Sequence, residues 1–194
     1  MKIILASQSK ARKKLMEELN IPFECHTSGY EENMEAYENS AQLAKHLAEG
    51  KAVFIAHKFP DSIIIGADTF ITIDKEKIGK PATVKEAETI IEKMSGKTIE
   101  VHSGLAVIKT DAQGKIIKKT VEHVLTKLKI KSMSLAEIHS LAHQEEALQI
   151  SGAFSIEGEG GKMVEKIDGD YNNVIGLPLF KLRQILQNFG LKMK

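Results

Sequence analysis

An α/β fold built on a mixed sheet is predicted by three features of this 194-residue chain. Short β-type runs alternate with amphipathic helical stretches along most of its length, the pattern of packed strand and helix layers. Ser62–Ile73, SIIIGADTFITI, is the strongest strand signal, and its continuous apolar run is what a strand covered on both faces looks like. Two long β-type runs, Thr98–Lys109 and Ile116–Lys131, flank the turn Asp111-Ala-Gln-Gly114 and predict an antiparallel hairpin, which breaks any purely parallel plan.

The elements follow in order. Lys2–Ala6 is a short apolar strand that stops at Ser7-Gln8-Ser9. A helix is expected over Lys10–Asn20, with Ser9 as N-cap and Ala11, Leu15 and Leu19 on one face. Pro22 opens an extended stretch through Thr27, and a longer helix spans Asn39–His57 with Ala44, Leu47, Ala48, Ala52 and Ile55 on its apolar face. Thr83-Val-Lys-Glu86 reads as a capping box before a helix with Val84, Ala87, Ile91 and Met94 inward, ended by Ser95-Gly96. After the hairpin, Ser134-Leu-Ala-Glu137 is a second capping box, starting a helix to Glu146. Gly152–Gly169 is glycine-rich, and a last helix covers Leu177–Asn188.

Composition sets outer bounds. Apolar residues make up 42% and charged residues 27%, ordinary for a globular chain. Lys+Arg 27 against Asp+Glu 26 leaves a net charge of +1, so no global field draws the chain to nucleic acid or to an anionic membrane. Locally the charge is uneven: Lys109–Lys131 holds seven lysines against two acids, and His143–Asp170 seven acids against two lysines. The lysine-rich hairpin lacks interleaved aromatics, so a solvated strand face accounts for it better than a nucleic-acid surface. Its exposed edge leaves room for a homodimer. The single Cys25 excludes an intrachain disulfide and a cysteine-based zinc cluster, which fits a reducing cytoplasm. No run approaches the ~18 apolar residues of a membrane span. One compact cytoplasmic domain over residues 1–194 is expected, with no membrane partner.

The chemistry must come from polar residues placed where a fold would prefer apolar ones, because no generic phosphate-loop, dinucleotide, zinc-protease or hydrolase-elbow motif occurs. Leu5-Ala-Ser-Gln-Ser-Lys-Ala-Arg12 runs a strand directly into a helix, so that Ser7, Ser9, free backbone N–H groups and the basic first turn make an anion site. Ser9 could equally serve only as a cap. Asp68 lies inside the most apolar run, where a carboxylate is costly to bury without a partner; the alternative is a strand that stops at Ile65 and leaves Asp68 in an exposed turn. Lys51 continues the apolar face of its helix and either snorkels or meets an anion. Lys80, in Ile78-Gly-Lys-Pro81, faces the same choice. Glu31-Glu32 and Phe154-Ser-Ile-Glu157-Gly-Glu159-Gly-Gly161 add carboxylates, the latter in a stretch whose glycines permit close approach to a flat ligand or simply form a surface loop. Together these suggest a cleft with cations for a polyphosphate and carboxylates for a divalent ion.

Several ordered segments resemble the Maf family: Leu5-Ala-Ser-x-Ser-x-x-Arg12, Gly50-Lys-Ala52, Ile65-Gly-Ala-Asp-Thr69, Gly79-Lys-Pro81, Met94-Ser-Gly96 and Ile167-x-Gly-x-Tyr-x-Asn-Val-Ile-Gly-Leu-Pro-Leu179. Maf proteins are nucleoside triphosphate pyrophosphatases once described as septum-formation inhibitors. The resemblance implies a two-lobed mixed-sheet fold with a central cleft, like that of inosine triphosphate pyrophosphatase, and hydrolysis of a nucleoside triphosphate to monophosphate and pyrophosphate with Mg²⁺ or Mn²⁺. It places Asp68 on the family's proton acceptor and Ser7, Arg12, Lys51 and Lys80 on its phosphate-binding positions, with Ser9 in the same segment. Asp68 with Glu31 or Glu32 would hold the metal. Two positions depart from the usual pattern: Ala11 stands where an arginine linked to base choice is common, and Glu157 where Gln is common. A glutamate at 157 is similar to the 7-methyl-GTP branch, and a carboxylate suits that cationic base, but Ala11 and Thr69 do not match that branch. The rival function is a nucleotide-binding regulator of cell division without turnover.

Overall fold

The computed structural model describes residues 1–192 and contains seven strands and six α-helices within them. In chain order these are β1 (Lys2–Leu5), α1 (Lys10–Glu17), β2 (Glu24–Cys25), α2 (Ser40–Ala56), β3 (Ser62–Ile73), β4 (Glu76–Ile78), α3 (Val84–Met94), β5 (Thr98–Thr110), β6 (Ile116–Ile130), α4 (Leu135–Ala142), β7 (Val164–Asp168), α5 (Tyr171–Ile175) and α6 (Leu179–Asn188). The strands form one mixed sheet in the order β2-β1-β3-β5-β6-β7, with β4 beside β3. β1 runs parallel to β2 and β3, whereas β4 and β7 pair antiparallel to β3 and β6. No helix among the described residues is long and apolar enough to cross a membrane.

The described residues divide into two compact units, and β3, β5 and β6 contribute residues to both. The first comprises Met1–Asp68, Ser103–Val124 and the residues from Gly176 on. Its core joins Ile4 and Ala6 to Ile64, Ala106, Ile108 and the α2 residues Ala48, Ala52 and Ile55. Two glycines set how closely α2 lies on the sheet. A Cβ at Gly66 would stand 2.2 Å from the Ala48 carbonyl oxygen, and one at Gly104 would stand 1.8 Å from that of Ala44. Backbone therefore meets backbone, and the small face of α2 is the reason it can.

The second unit comprises Thr69–His102 and Leu125–Ile175. Ile71, Ile73, Ala87, Ile91, Met94, Leu128, Ile138 and Leu141 form its core. Ser134 caps α4 in the reciprocal manner expected, with the Glu137 side chain returning to the Ser134 N–H at 2.8 Å.

Several boundaries differ from the sequence reading for identifiable reasons. The first helix ends at Glu17 rather than Asn20, because the chain turns there and Asn20 takes φ +52°, a left-handed value that asparagine tolerates. Of the extended stretch Pro22–Thr27, only Glu24–Cys25 pairs as strand. Thr83 does cap α3, but Glu86 reaches past it to the backbone N–H of Ala82, so the box is not reciprocal. Helix α4 stops at Ala142, not Glu146, and a 3-10 turn follows at Ala147–Gln149. The glycine-rich stretch contains a 3-10 turn, Glu159–Met163, and the strand β7. The last helix begins at Leu179, since Pro178 takes the N-cap.

Candidate active site

Within the first unit, the segment after β1 supplies hydroxyls and a guanidinium. Ser7 is buried, and its Oγ accepts the Ser9 backbone N–H at 3.2 Å. Ser9 in turn accepts the Arg12 backbone N–H at 3.3 Å, so it does cap α1, covering one of the donors a helix start leaves open. Arg12 donates through Nε to the Gly176 carbonyl at 2.8 Å and through a terminal nitrogen to Ser7 Oγ at 3.4 Å. Burial pushes its pKa below the usual arginine value, while the nearby charges of Asp68 and Glu32 oppose that shift. The guanidinium stays a cation.

Lys51 does not snorkel. It lies on the buried face of α2, one turn beyond Leu47, and is only 7% exposed. Its Nζ donates to Asp68 Oδ1 at 2.5 Å and pairs with Glu32 Oε1 at 2.8 Å. Asp68 is 6% exposed and stays inside β3, which continues to Ile73 instead of ending at Ile65. The exposed-turn alternative is thereby excluded. The partner that makes this burial tolerable is the lysine.

Glu32 reaches Lys51 from the loop before α2, and the fixture holding that loop escaped the sequence reading. The Tyr30 ring lies against Gly50, where an added Cβ would come within 2.4 Å of it, and Tyr30 Oη meets His46 Nε2 at 3.1 Å. The available signal was Gly50 itself, which precedes Lys51 on the helix and offers a flat seat for a ring. Gly176, through its carbonyl on Arg12, is the other residue missed as a site contributor.

The remaining candidates are distributed as follows. Glu31 is exposed beside Glu32, and Ala11 is half-buried in the first turn of α1. Thr69 is half-buried next to Asp68 in sequence, and belongs with Lys80 and Glu157, both exposed, to the second unit. Asp68, Glu31 and Glu32 do not converge as a three-carboxylate set; Asp68 and Glu32 converge on Lys51. Those two offer hard oxygen donors in a setting already shaped for positive charge, which is the chemistry Mg²⁺ or Mn²⁺ requires. The result is a buried Lys51–Asp68 pair with Arg12 near it and Glu32 joining from the solvent side, a nearly neutral group of two carboxylates and two cations.

A family model described as Maf-like protein matches residues 2–189. The chain belongs to the Maf-like family. Among curated relatives, a dTTP/UTP pyrophosphatase from Methanococcoides burtonii is 38% identical over 193 residues, covering 99% of this chain and 97% of the relative. A dTTP/UTP pyrophosphatase from Bacillus cereus strain AH820 is 36% identical over 190 residues, covering 98% and 96%. Solved structures resemble this Maf-like chain in fold alone. A HAM1 protein from Coxiella burnetii aligns with TM-score 0.53 at 14% identity, covering 97% of this chain and 99% of that one. The Ham1 protein of Staphylococcus aureus gives TM-score 0.51 at 9% identity, again over 97% and 99%.

Proposed function

We propose that this Maf-like chain hydrolyses a nucleoside triphosphate to the nucleoside monophosphate and pyrophosphate, with dTTP and UTP as the leading substrates. The observation that carries the reading is Asp68, buried in an apolar strand and held by Lys51 with Glu32 and Arg12 close by. The base choice is taken from the two relatives named above.

In the proposed reaction the Asp68 carboxylate orients a water and accepts its proton as the water oxygen bonds to the α-phosphorus. The bond from the α-phosphorus to the bridging oxygen breaks, and pyrophosphate leaves with that electron pair. Arg12 and Lys51 supply positive charge where negative charge accumulates on the phosphates. Ser7 orders the turn beneath Arg12 and offers a hydroxyl to the same group. Lys80 enters as a further phosphate ligand through its motif alone, and Thr69, Glu157 and Ala11 enter as determinants of base choice. Asp68 and Glu32, with Glu31 adjoining, would hold Mg²⁺ or Mn²⁺, which when bound supplies charge neutralisation and acidifies water.

Pyrophosphate release and nucleotide binding measured on dTTP, UTP, 7-methyl-GTP and the standard purine triphosphates, with and without Mg²⁺, test this. Asp68→Asn is expected to lose at least ~10²-fold in turnover with a modest change in binding. Binding without release on every substrate would favour the regulator instead, and preferred release from 7-methyl-GTP would transfer base choice to Glu157.

A further inference from the structure

We propose that His139 and His143, oriented by Glu88, form an exposed site for a divalent transition-metal ion of the zinc, nickel and copper class. The two histidines are four residues apart, His139 in the last turn of α4 and His143 as its C-cap, which brings their side chains to one face of the helix end. Their ring centroids lie 3.9 Å apart. Glu88 projects from the neighbouring helix α3, and one donor atom from each of the three residues lies within 4.8 Å of the others.

The hydrogen bonds decide what those rings can offer. His139 Nδ1 meets Glu88 Oε1 at 2.8 Å, and His143 Nδ1 meets the His139 carbonyl oxygen at 2.8 Å. A carboxylate and a carbonyl only accept, so each neutral imidazole carries its proton on Nδ1 and keeps the Nε2 lone pair as a metal donor. A ring held through its other nitrogen by a carboxylate or a backbone carbonyl is the arrangement that metal-ligating histidines adopt. Imidazole donors select zinc, nickel and copper over magnesium, and the Irving–Williams order puts Cu²⁺ tightest. The site therefore differs in chemistry from the oxygen donors of Asp68 and Glu32, and it stands whether or not the reaction proposed above is correct. An ion that binds this folded arrangement of the two imidazoles, and not the unfolded chain, stabilises the fold by mass action.

The test uses the untagged full-length chain, stripped of metal, titrated with Cu²⁺ and Zn²⁺ by calorimetry and followed by electron paramagnetic resonance for the copper form. One tight Cu²⁺ per chain with imidazole-nitrogen coupling is expected, together with a higher Tm and no competition from excess Mg²⁺. His143→Ala and His139→Ala should each weaken binding at least ~10-fold, and Glu88→Gln by about 10–100-fold. His139 and His143 are exposed and Glu88 half-buried, and unchanged melting of the metal-free variants verifies their folding. The proposal is overturned if the wild-type chain shows no such ion, or if the His139→Ala/His143→Ala double variant keeps the same affinity and nitrogen signal, which would place the ion on other histidines.

Discussion

Replacing Lys51 with methionine preserves most of the side-chain volume and removes only the ammonium. At 2.5 Å and an effective dielectric near 20, the Lys51–Asp68 attraction amounts to about 7 kcal/mol, but desolvating each ion costs several kcal/mol, so the intact pair adds little net stability. The single variant is a different matter. It leaves the Asp68 carboxylate buried with its ammonium gone, and breaking a buried pair from one side costs about 3–5 kcal/mol. For a chain of this size that lowers Tm by about 6–20 °C. The Glu32 contact adds little to this sum, because its side chain is 44% exposed and solvent screens it. Thermal and urea melts of Lys51→Met, Asp68→Asn, Glu32→Gln and the Lys51→Met/Asp68→Asn pair check the reasoning. The double variant should recover part of the Lys51→Met loss, while Glu32→Gln should melt within about 2 °C of the wild type. A Lys51→Met chain as stable as the wild type, or a double variant whose losses simply add, would refute the assignment of Lys51 as the group that makes Asp68 tolerable.

Two further outcomes concern the scaffold. Gly66→Ala should cost about 1–3 kcal/mol in denaturant melts, since the new methyl meets a helix carbonyl at 2.2 Å and α2 must move to admit it; that movement carries Lys51, so turnover should fall with stability. Ser134→Ala should cost about 0.5–2 kcal/mol through the lost cap of α4. Hydrogen bonds from the Ser134 backbone and hydroxyl, then from Lys131, hold the Glu137 carboxyl down at about 2. A depressed carboxyl contributes stability above its unfolded value and loses it as pH falls, so the Glu137 carboxylate's share of the cap should be full at neutral pH and fade between about 4.5 and 2, while the bond from the Glu137 N–H to the Ser134 hydroxyl does not titrate. Melts across that range, compared between wild type and Ser134→Ala, read the difference directly.

Strong local signals in the chain survived into the structure with little change. Ser62–Ile73 is a strand over its whole length, and Asn39 and His57 bracket α2 as cap residues. The elements that escaped had no apolar pattern to announce them. β7 reads VEKID, with Glu165, Lys166 and Asp168 all exposed on a sheet edge, where charge protects against further pairing rather than signalling a strand. β4 is joined to β3 by Asp74 and Lys75, both at positive φ, the geometry of a two-residue hairpin turn that sequence usually marks with Asn-Gly. Lysine carries no such mark, so the hairpin was invisible.

Legibility at the site followed a similar division. Asp68 and Lys51 could each be singled out because a charge on an apolar face is conspicuous, yet neither position alone says whether the charge escapes to solvent or finds a partner. That depends on seventeen residues of separation being closed by packing, and the closure rests on Gly66 and Gly104 letting α2 settle against the sheet. Glu32 was harder still: its role depends on Tyr30 resting on Gly50, a contact between a loop ring and a missing side chain that no periodicity records. The same contact explains how the group can work. Asp68 is fixed in the sheet and buried, whereas Glu32 comes from an exposed loop, so in the proposed reaction an incoming phosphate would compete for Lys51 with the loop carboxylate and not with the buried one. Under the proposed reaction the lysine would turn toward phosphate while Asp68 keeps its place in β3.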